Sequence, residues 1–167
     1  MHRFNTNETY IWTFGDNFLV KCPKCCKLAY VITTDKESSP KIRFSCLNCG
    51  YTKDWKQKNP VITSYPNVDF FKEGQILIGT AVDWYFHFPL WLQTACCGKN
   101  LWAYNSEHLS WLKSYVSAKL REHSPHKNYG WSNQSLASRL PNWIKQNNHR
   151  EAILTAIEKL EQTIIYT

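Results

Sequence analysis

No apolar stretch in this chain approaches the ~18 residues that a membrane helix needs. The best run, Trp84 to Leu92, is interrupted by His87 and Pro89. Near the N-terminus, Gly15-Asp16-Asn17 breaks any apolar signal region. No lipidation pattern occurs. With unpaired cysteines, these absences make the cytoplasm the expected location and argue against a membrane partner. Enzyme signatures are missing as well: there is no G-x-S-x-G, P-loop, dinucleotide fingerprint or H-E-x-x-H. Asp and Glu together number only 13 and are scattered, which argues against a metal-dependent nuclease. Neither an internal repeat nor a low-complexity segment is present, and no small-molecule substrate is indicated. A non-enzymatic protein is the expectation.

Two knuckles stand out: Cys22-Pro-Lys-Cys25, and Cys46-Leu-Asn-Cys49 followed by Gly50. Two C-x-x-C pairs at this separation predict one tetrahedral site of four thiolates, Cys22, Cys25, Cys46 and Cys49. Zn²⁺ suits soft sulfur ligands in a closed tetrahedron, and iron in the same cage is the chemical rival. Pro23 fixes a dihedral in the first knuckle. Gly50 suits the positive φ that often follows the second. Seven cysteines is an odd count, which argues against a disulfide framework. A site with four protein ligands is closed, so the ion supplies folding energy and does not activate water.

The formal charge is +7. Residues 1–60 hold ten Lys and Arg against five Asp and Glu, and residues 61–167 hold ten against eight. Four thiolates with Zn²⁺ contribute about −2, leaving about +5 in the metal-loaded protein, with the excess on the N-terminal module. That bias is compatible with nucleic acid. Eight Trp, nine Tyr and eight Phe are dense for this length. They suit the core of a small β-layer, or an exposed surface for a partner.

The pattern predicts an α+β fold. Residues 1–58 read as an antiparallel β-ribbon, in which Phe18-Leu-Val20 leads into the first knuckle. Leu28 to Thr34 suits a strand, and residues 35–40 a turn. Lys41-Ile-Arg-Phe-Ser45 and Tyr51-Thr-Lys-Asp-Trp55 alternate as half-buried strands, with Ile42 and Phe44 inward and Lys41 and Arg43 outward. Residues 59–104 form an aromatic-rich β region. Gly74 to Thr80 holds a buried strand, Leu101 to Tyr104 another, and Trp84 to Leu92 is open between strand and buried helix. Residues 105–167 read as about three helices packing on that region, so that 59–167 form one unit. The first runs from Asn105 or Ser106 to about His123, with Leu109, Leu112, Val116 and Leu120 on one face. A second begins near Ser132 or Asn133 and meets Pro141. Pro141 opens a further turn with Trp143 and Ile144. The last starts at Asn148 and presents Ile153, Ile157, Leu160 and Ile164.

Three segments resemble a group of bacterial proteins with a transcription-factor-IIB-type zinc ribbon. They are the two knuckles; Pro89-Leu-Trp-Leu-Gln to Asn105 with Ser114 to Arg121; and Leu136 to Trp143 with the helix that follows. The resemblance spans most of the chain. It implies the ribbon fold and, by fold analogy, nucleic-acid or transcription-related binding; it carries no activity. Cys26 departs from the pattern, standing where ribbons usually carry Gly. It reads as a spare thiol or an alternative ligand.

Lys24, Lys27, Lys41, Arg43, Lys53, Lys56 and Lys58 surround the ribbon, with Tyr51 and Trp55 interleaved. Basic side chains meet phosphates and aromatics stack on unpaired bases, so Lys24, Lys41, Arg43, Tyr51, Lys53 and Trp55 are the candidate nucleic-acid contacts. The alternative is that the charges only solvate a small module. Cys96-Cys97-Gly98 reads as a pair of buried or half-buried thiols. Less favoured readings pair it with His123 and His126 in a second metal site, or with His87 or His108 in a cysteine enzyme. The leading expectation is a zinc-stabilised protein that binds nucleic acid. The second is a protein-interaction module, such as a toxin-neutralising immunity protein, an antitoxin or an adaptor.

Overall fold

Apolar side chains at alternate positions set the N-terminal sheet, because successive residues of a strand face opposite ways. The computed structural model describes residues 3–5, 9–34, 40–66, 72–118, 120–122 and 134–167. In chain order the elements are β1 (Arg3–Asn5), a 3-10 turn (Ile11–Phe14), β2 (Asn17–Lys21), β3 (Leu28–Thr34), β4 (Lys41–Ser45) and β5 (Thr52–Asp54). There follow β6 (Ile62–Ser64), β7 (Ile76–Ile78), β8 (Leu92–Cys96), β9 (Lys99–Ala103), α1 (Ser106–Ser117) and β10 (Leu120–Glu122). The chain closes with α2 (Leu136–Arg139), α3 (Asn142–Lys145), a 3-10 turn (Asn147–His149) and α4 (Arg150–Ile165). This is an α+β fold. It divides into two units, Gly15–Gln93 with Trp102–Asn105, and Met1–Phe14 with Thr94–Leu101 and Ser106–Thr167.

In the first unit β2, β3, β4 and β5 form one antiparallel sheet in that order. The register sets Phe18 opposite Val31, Val31 opposite Phe44, and Phe44 opposite Lys53. One face therefore carries Phe18, Val20, Val31 and Phe44, all fully buried. Each such side chain stabilises the fold by about 1.5–3 kcal/mol. Ile42 points the same way, while Lys21, Lys41 and Arg43 are exposed on the opposite face. The β2 edge is covered: Leu19 N–H donates to the Tyr104 carbonyl, Lys21 N–H to that of Pro89, and Trp91 N–H to that of Leu19, each at 2.8 Å.

Aromatics fill the core of this unit. Phe18 lies edge-on to Tyr104 at 5.2 Å and tilted against Trp84 at 5.3 Å. The Tyr104 hydroxyl accepts the Gly79 N–H at 2.8 Å. The apolar run between Gly74 and Thr80 is strand β7, with Leu77 fully buried and β6 as its parallel partner. The segment 84–92 is neither helix nor continuous strand: a turn at 84–86 leads to bridge residues Pro89 and Leu90, and then to β8.

In the second unit α1 and α4 pack together. Leu109, Leu112 and Val116 of α1 are buried, as are Ile153, Ile157 and Leu160 of α4. Lys113 Nζ meets Glu161 Oε2 at 2.7 Å, and Arg150 Nη2 donates to the Ala118 carbonyl at 2.9 Å. The expected run of the first helix to His123 is corrected. The helix ends at Ser117, and Leu120–Glu122 pair in parallel with β1. A tertiary partner satisfies those backbone groups better than another helical turn, so Leu120 belongs to a strand.

Later helices also shift. Ser135 caps α2, its Oγ accepting the Ser138 N–H at 3.2 Å, with Leu136 and Leu140 buried. Pro141 does open a further short turn, α3, with Ile144 buried. The last helix starts at Arg150, not Asn148, because a 3-10 turn at Asn147–His149 precedes it. The expectations for the turn at 35–39, for His123 and His126, for Tyr129-Gly130 and for a helix start at Ser132 or Asn133 fall outside the described residues.

His108 in α1 is fully buried and stacks on Phe14 at 4.8 Å. Burial pushes its imidazole down to about 3. In the unfolded chain the ring binds a proton near pH 6.5. The unfolded state therefore gains protons first on acidification. Stability held above pH 6.5 is lost as pH falls toward 3. By pH 5 the expected loss is about 2 kcal/mol. Denaturant titrations of wild type and His108→Phe at pH 7 and pH 5 should show this difference in the wild type only.

Candidate metal centre and the basic sheet

The two knuckles fold alike. Cys22 N–H donates to the Lys27 carbonyl at 2.8 Å, and Cys26 N–H to that of Cys22 at 2.9 Å. In the second, Cys46 N–H donates to Tyr51 and Gly50 N–H to Cys46, both at 2.9 Å. The equivalent residues Cys26 and Gly50 have φ of 61° and 73°. Glycine takes that conformation freely, whereas another residue is strained there by roughly 1–2 kcal/mol. Cys26 thus occupies the glycine position of its knuckle, with its side chain exposed.

The turns bring four sulfurs together. Cys22, Cys25, Cys46 and Cys49 present Sγ atoms that all lie within 4.8 Å of one another. The Cys22–Cys49 distance is 3.7 Å and Cys25–Cys46 is 3.5 Å. A Zn–S bond of ~2.3 Å requires tetrahedral sulfurs ~3.8 Å apart, so the donor set fits such an ion. Cys22 and Cys46 are buried, Cys25 is half-buried and Cys49 exposed. Cys26 is outside this group.

Electrostatics agree with a cation site. The Lys27 N–H pulls Cys25 down to about 6, in spite of burial. The Tyr51 N–H pulls on Cys49 too, but burial and the three neighbouring sulfurs together push it up to about 11. Crowded sulfurs accept one negative charge readily and the last one with difficulty. A divalent cation relieves that repulsion.

No family model, curated protein or solved structure matches the chain. A four-cysteine cluster on an antiparallel sheet, consistent with a zinc ribbon, rests on the geometry alone.

The six basic and aromatic residues singled out in the sequence lie in three places. Lys24, in the first knuckle, holds its Nζ 4.0 Å over the Tyr51 ring. Lys41 and Arg43 lie on the outer face of β4. Arg43 grips Asp54 through two bonds, Nε–Oδ1 at 2.7 Å and Nη2–Oδ2 at 3.1 Å. Those bonds hold the Asp54 carboxyl below its ordinary range. Lys53 and Trp55 face the other way, because Lys53 sits opposite Phe44 and Trp55 N–H donates to the Ile42 carbonyl. Trp55 lies edge-on to Tyr85 at 5.5 Å and to Phe86 at 5.9 Å.

Asp83 was not singled out. It is fully buried, and its Oδ1 accepts the N–H groups of Tyr85 at 2.9 Å and Phe86 at 2.8 Å. Its Oδ2 accepts that of Phe88 at 2.7 Å. Burial pushes this carboxyl up against the pull of the three N–H groups. One carboxylate thus folds the turn that carries Tyr85, Phe86 and His87. An Asp directly before an aromatic run is the signal that could have revealed it, since Asp side chains commonly bond the backbone two residues on.

Cys96 and Cys97 sit at the β8–β9 turn with sulfurs 3.7 Å apart. Cys97 and Gly98 both have positive φ, 54° and 71°, as a two-residue type I′ turn requires. Burial pushes the Cys96 thiol up to about 11.

Proposed function

We propose that the chain is a non-enzymatic, zinc-stabilised binding protein that engages nucleic acid through its N-terminal sheet. The observation that carries this reading is the outer face of the sheet. Lys21 projects there from β2, and Lys41 from β4 beside the Arg43–Asp54 pair, with β3 between the two strands and the four-cysteine cluster tying their loops together. Lys41 and Arg43 are two residues apart, about 6.7 Å along the strand. Tyr30 and Ile32 lie between the basic strands, partly uncovered. Such an array suits phosphates, and zinc, when bound, fixes its loops. The raised Cys96 thiol weighs against a cysteine nucleophile, which acts as thiolate.

Reversing charge at Lys21 and Lys41 tests the reading without touching the Arg43–Asp54 pair. The double variant Lys21→Glu, Lys41→Glu should keep its metal and its fold. Its affinity for a random oligonucleotide should fall at least tenfold at low salt. Unchanged affinity would refute the role of this face.

A second reading, docking of a protein such as a toxin, is favoured by exposed apolar side chains. Leu47 at the tip of the second knuckle is 84% exposed, and Trp12, stacked on Tyr10, is 56% exposed. Under that reading, truncating one or the other abolishes partner capture while charge reversal matters little.

A further inference from the structure

The inner face of the sheet continues past the buried core at β5. There Lys53 and Trp55 share a face with Phe44 and Ile42, at the last strand of the sheet. The Asp83-held turn brings Tyr85, Phe86 and His87 against them. With Lys56 these residues line an open groove of about 500 Å³. That volume falls within the ~300–1,000 Å³ of small-ligand sites.

The walls have two kinds of chemistry. Trp55, Tyr85 and Phe86 are each half-buried, and all three line the groove. The cationic groups are Lys53 and Lys56. Lys53 Nζ stands 5.7 Å from the Phe86 ring centre and 3.8 Å from the Glu73 carboxylate. Glu73 is 94% exposed and can swing away. Asp54, the other acid lining the groove, is already neutralised by Arg43. An occupant with a flat ring and an adjacent anion meets both surfaces.

We infer that this groove receives one unpaired base of a single-stranded nucleic acid, with the base against the Trp55–Tyr85–Phe86 cluster and the flanking phosphate at Lys53 and Lys56. The inference rests on the nucleic-acid reading above and extends it to the other face of the sheet. Lys21 and Lys41 lie on the opposite face of the sheet and attract phosphates of either strand form. The groove admits a base only when it is unpaired, because a base within a duplex offers no free face to stack on. The assignment therefore predicts strand preference, which basic charge alone does not.

The test uses the intact, metal-loaded chain with a fluorescent thymidine oligonucleotide and a duplex of equal length. The wild type should bind the single strand at least tenfold more tightly than the duplex. Phe86→Leu and Trp55→Leu keep apolar bulk but remove the aromatic face. Each should lose about tenfold in single-strand affinity and little in duplex affinity. Lys53→Gln, which removes the charge without removing a packed ring, should weaken single-strand binding severalfold and serves if either Leu variant misfolds. Equal single-strand and duplex affinity in the wild type would overturn the groove assignment and leave the broader reading intact. So would unchanged single-strand affinity in Lys53→Gln together with a folded Leu variant, as expected if the groove holds a protein segment. No binding of either probe at low salt would overturn both.

Discussion

Removal of the proposed zinc should unfold the four-stranded sheet. A chelator titration followed by circular dichroism should show loss of β signal in step with loss of one Zn²⁺ per chain. The reason lies in the loops. The cluster joins the β2–β3 connection to the β4–β5 connection, drawing its four sulfurs to within 4.8 Å. Without a cation those sulfurs resist ionising together, as the rise of Cys49 to about 11 indicates. Structural zinc contributes an apparent ~10–16 kcal/mol in comparable peptides. A whole domain is stable by only about 5–15 kcal/mol. Cys46→Ser should accordingly abolish metal retention and the sheet together. Cys26→Ser should bind metal like the wild type, because its side chain is exposed and outside the cluster. An apo-protein that keeps its β signal and melting temperature would show that the sheet does not depend on the site.

Asp83→Ala should destabilise the protein by about 3 kcal/mol or more, measured by denaturant titration with metal bound. The carboxylate is the acceptor for three backbone N–H groups in a buried turn. Each orphaned donor costs about 1–3 kcal/mol. Some of that is offset because the variant no longer buries a charge, the effect that raises this carboxyl. Asp83→Asn separates the two contributions. Its single carbonyl can serve Tyr85 and Phe86, but its amide NH₂ then faces the Phe88 N–H, donor against donor. Asn should therefore still cost more than 1 kcal/mol. If both variants matched the wild type, the turn would be held by ring packing alone. Loss of the turn should also weaken single-strand binding, because it carries Tyr85 and Phe86.

Much of the N-terminal sheet was legible in the sequence. Leu28–Thr34 and Lys41–Ser45 were bounded correctly, since the alternation of Ile42 and Phe44 with Lys41 and Arg43 fixes both period and face. The cysteine cluster followed from spacing, because two knuckles on adjoining hairpins converge on one point. What resisted reading depends on partners distant in the chain. β6 is only three residues long and exists through its pairing with β7. Residues 120–122 looked helical by apolar period, and their partner β1 lies over a hundred residues away. Residues 84–88 carry no periodic signal, and their shape comes from one carboxylate. Register likewise separated the basic residues. Lys41 and Lys53 are both on the ribbon, yet they face opposite sides.

The most direct test of nucleic-acid binding is a salt series. Affinity of the zinc-loaded protein for random single- and double-stranded oligonucleotides would be measured from low salt to about 0.2 M. Neutralising three to four phosphates predicts a slope of log affinity against log salt near −2 to −3 on single strands, about −0.7 per phosphate. That fall is expected, with the single strand bound more tightly throughout. No binding at the lowest salt, by a protein shown to hold its metal, would contradict it.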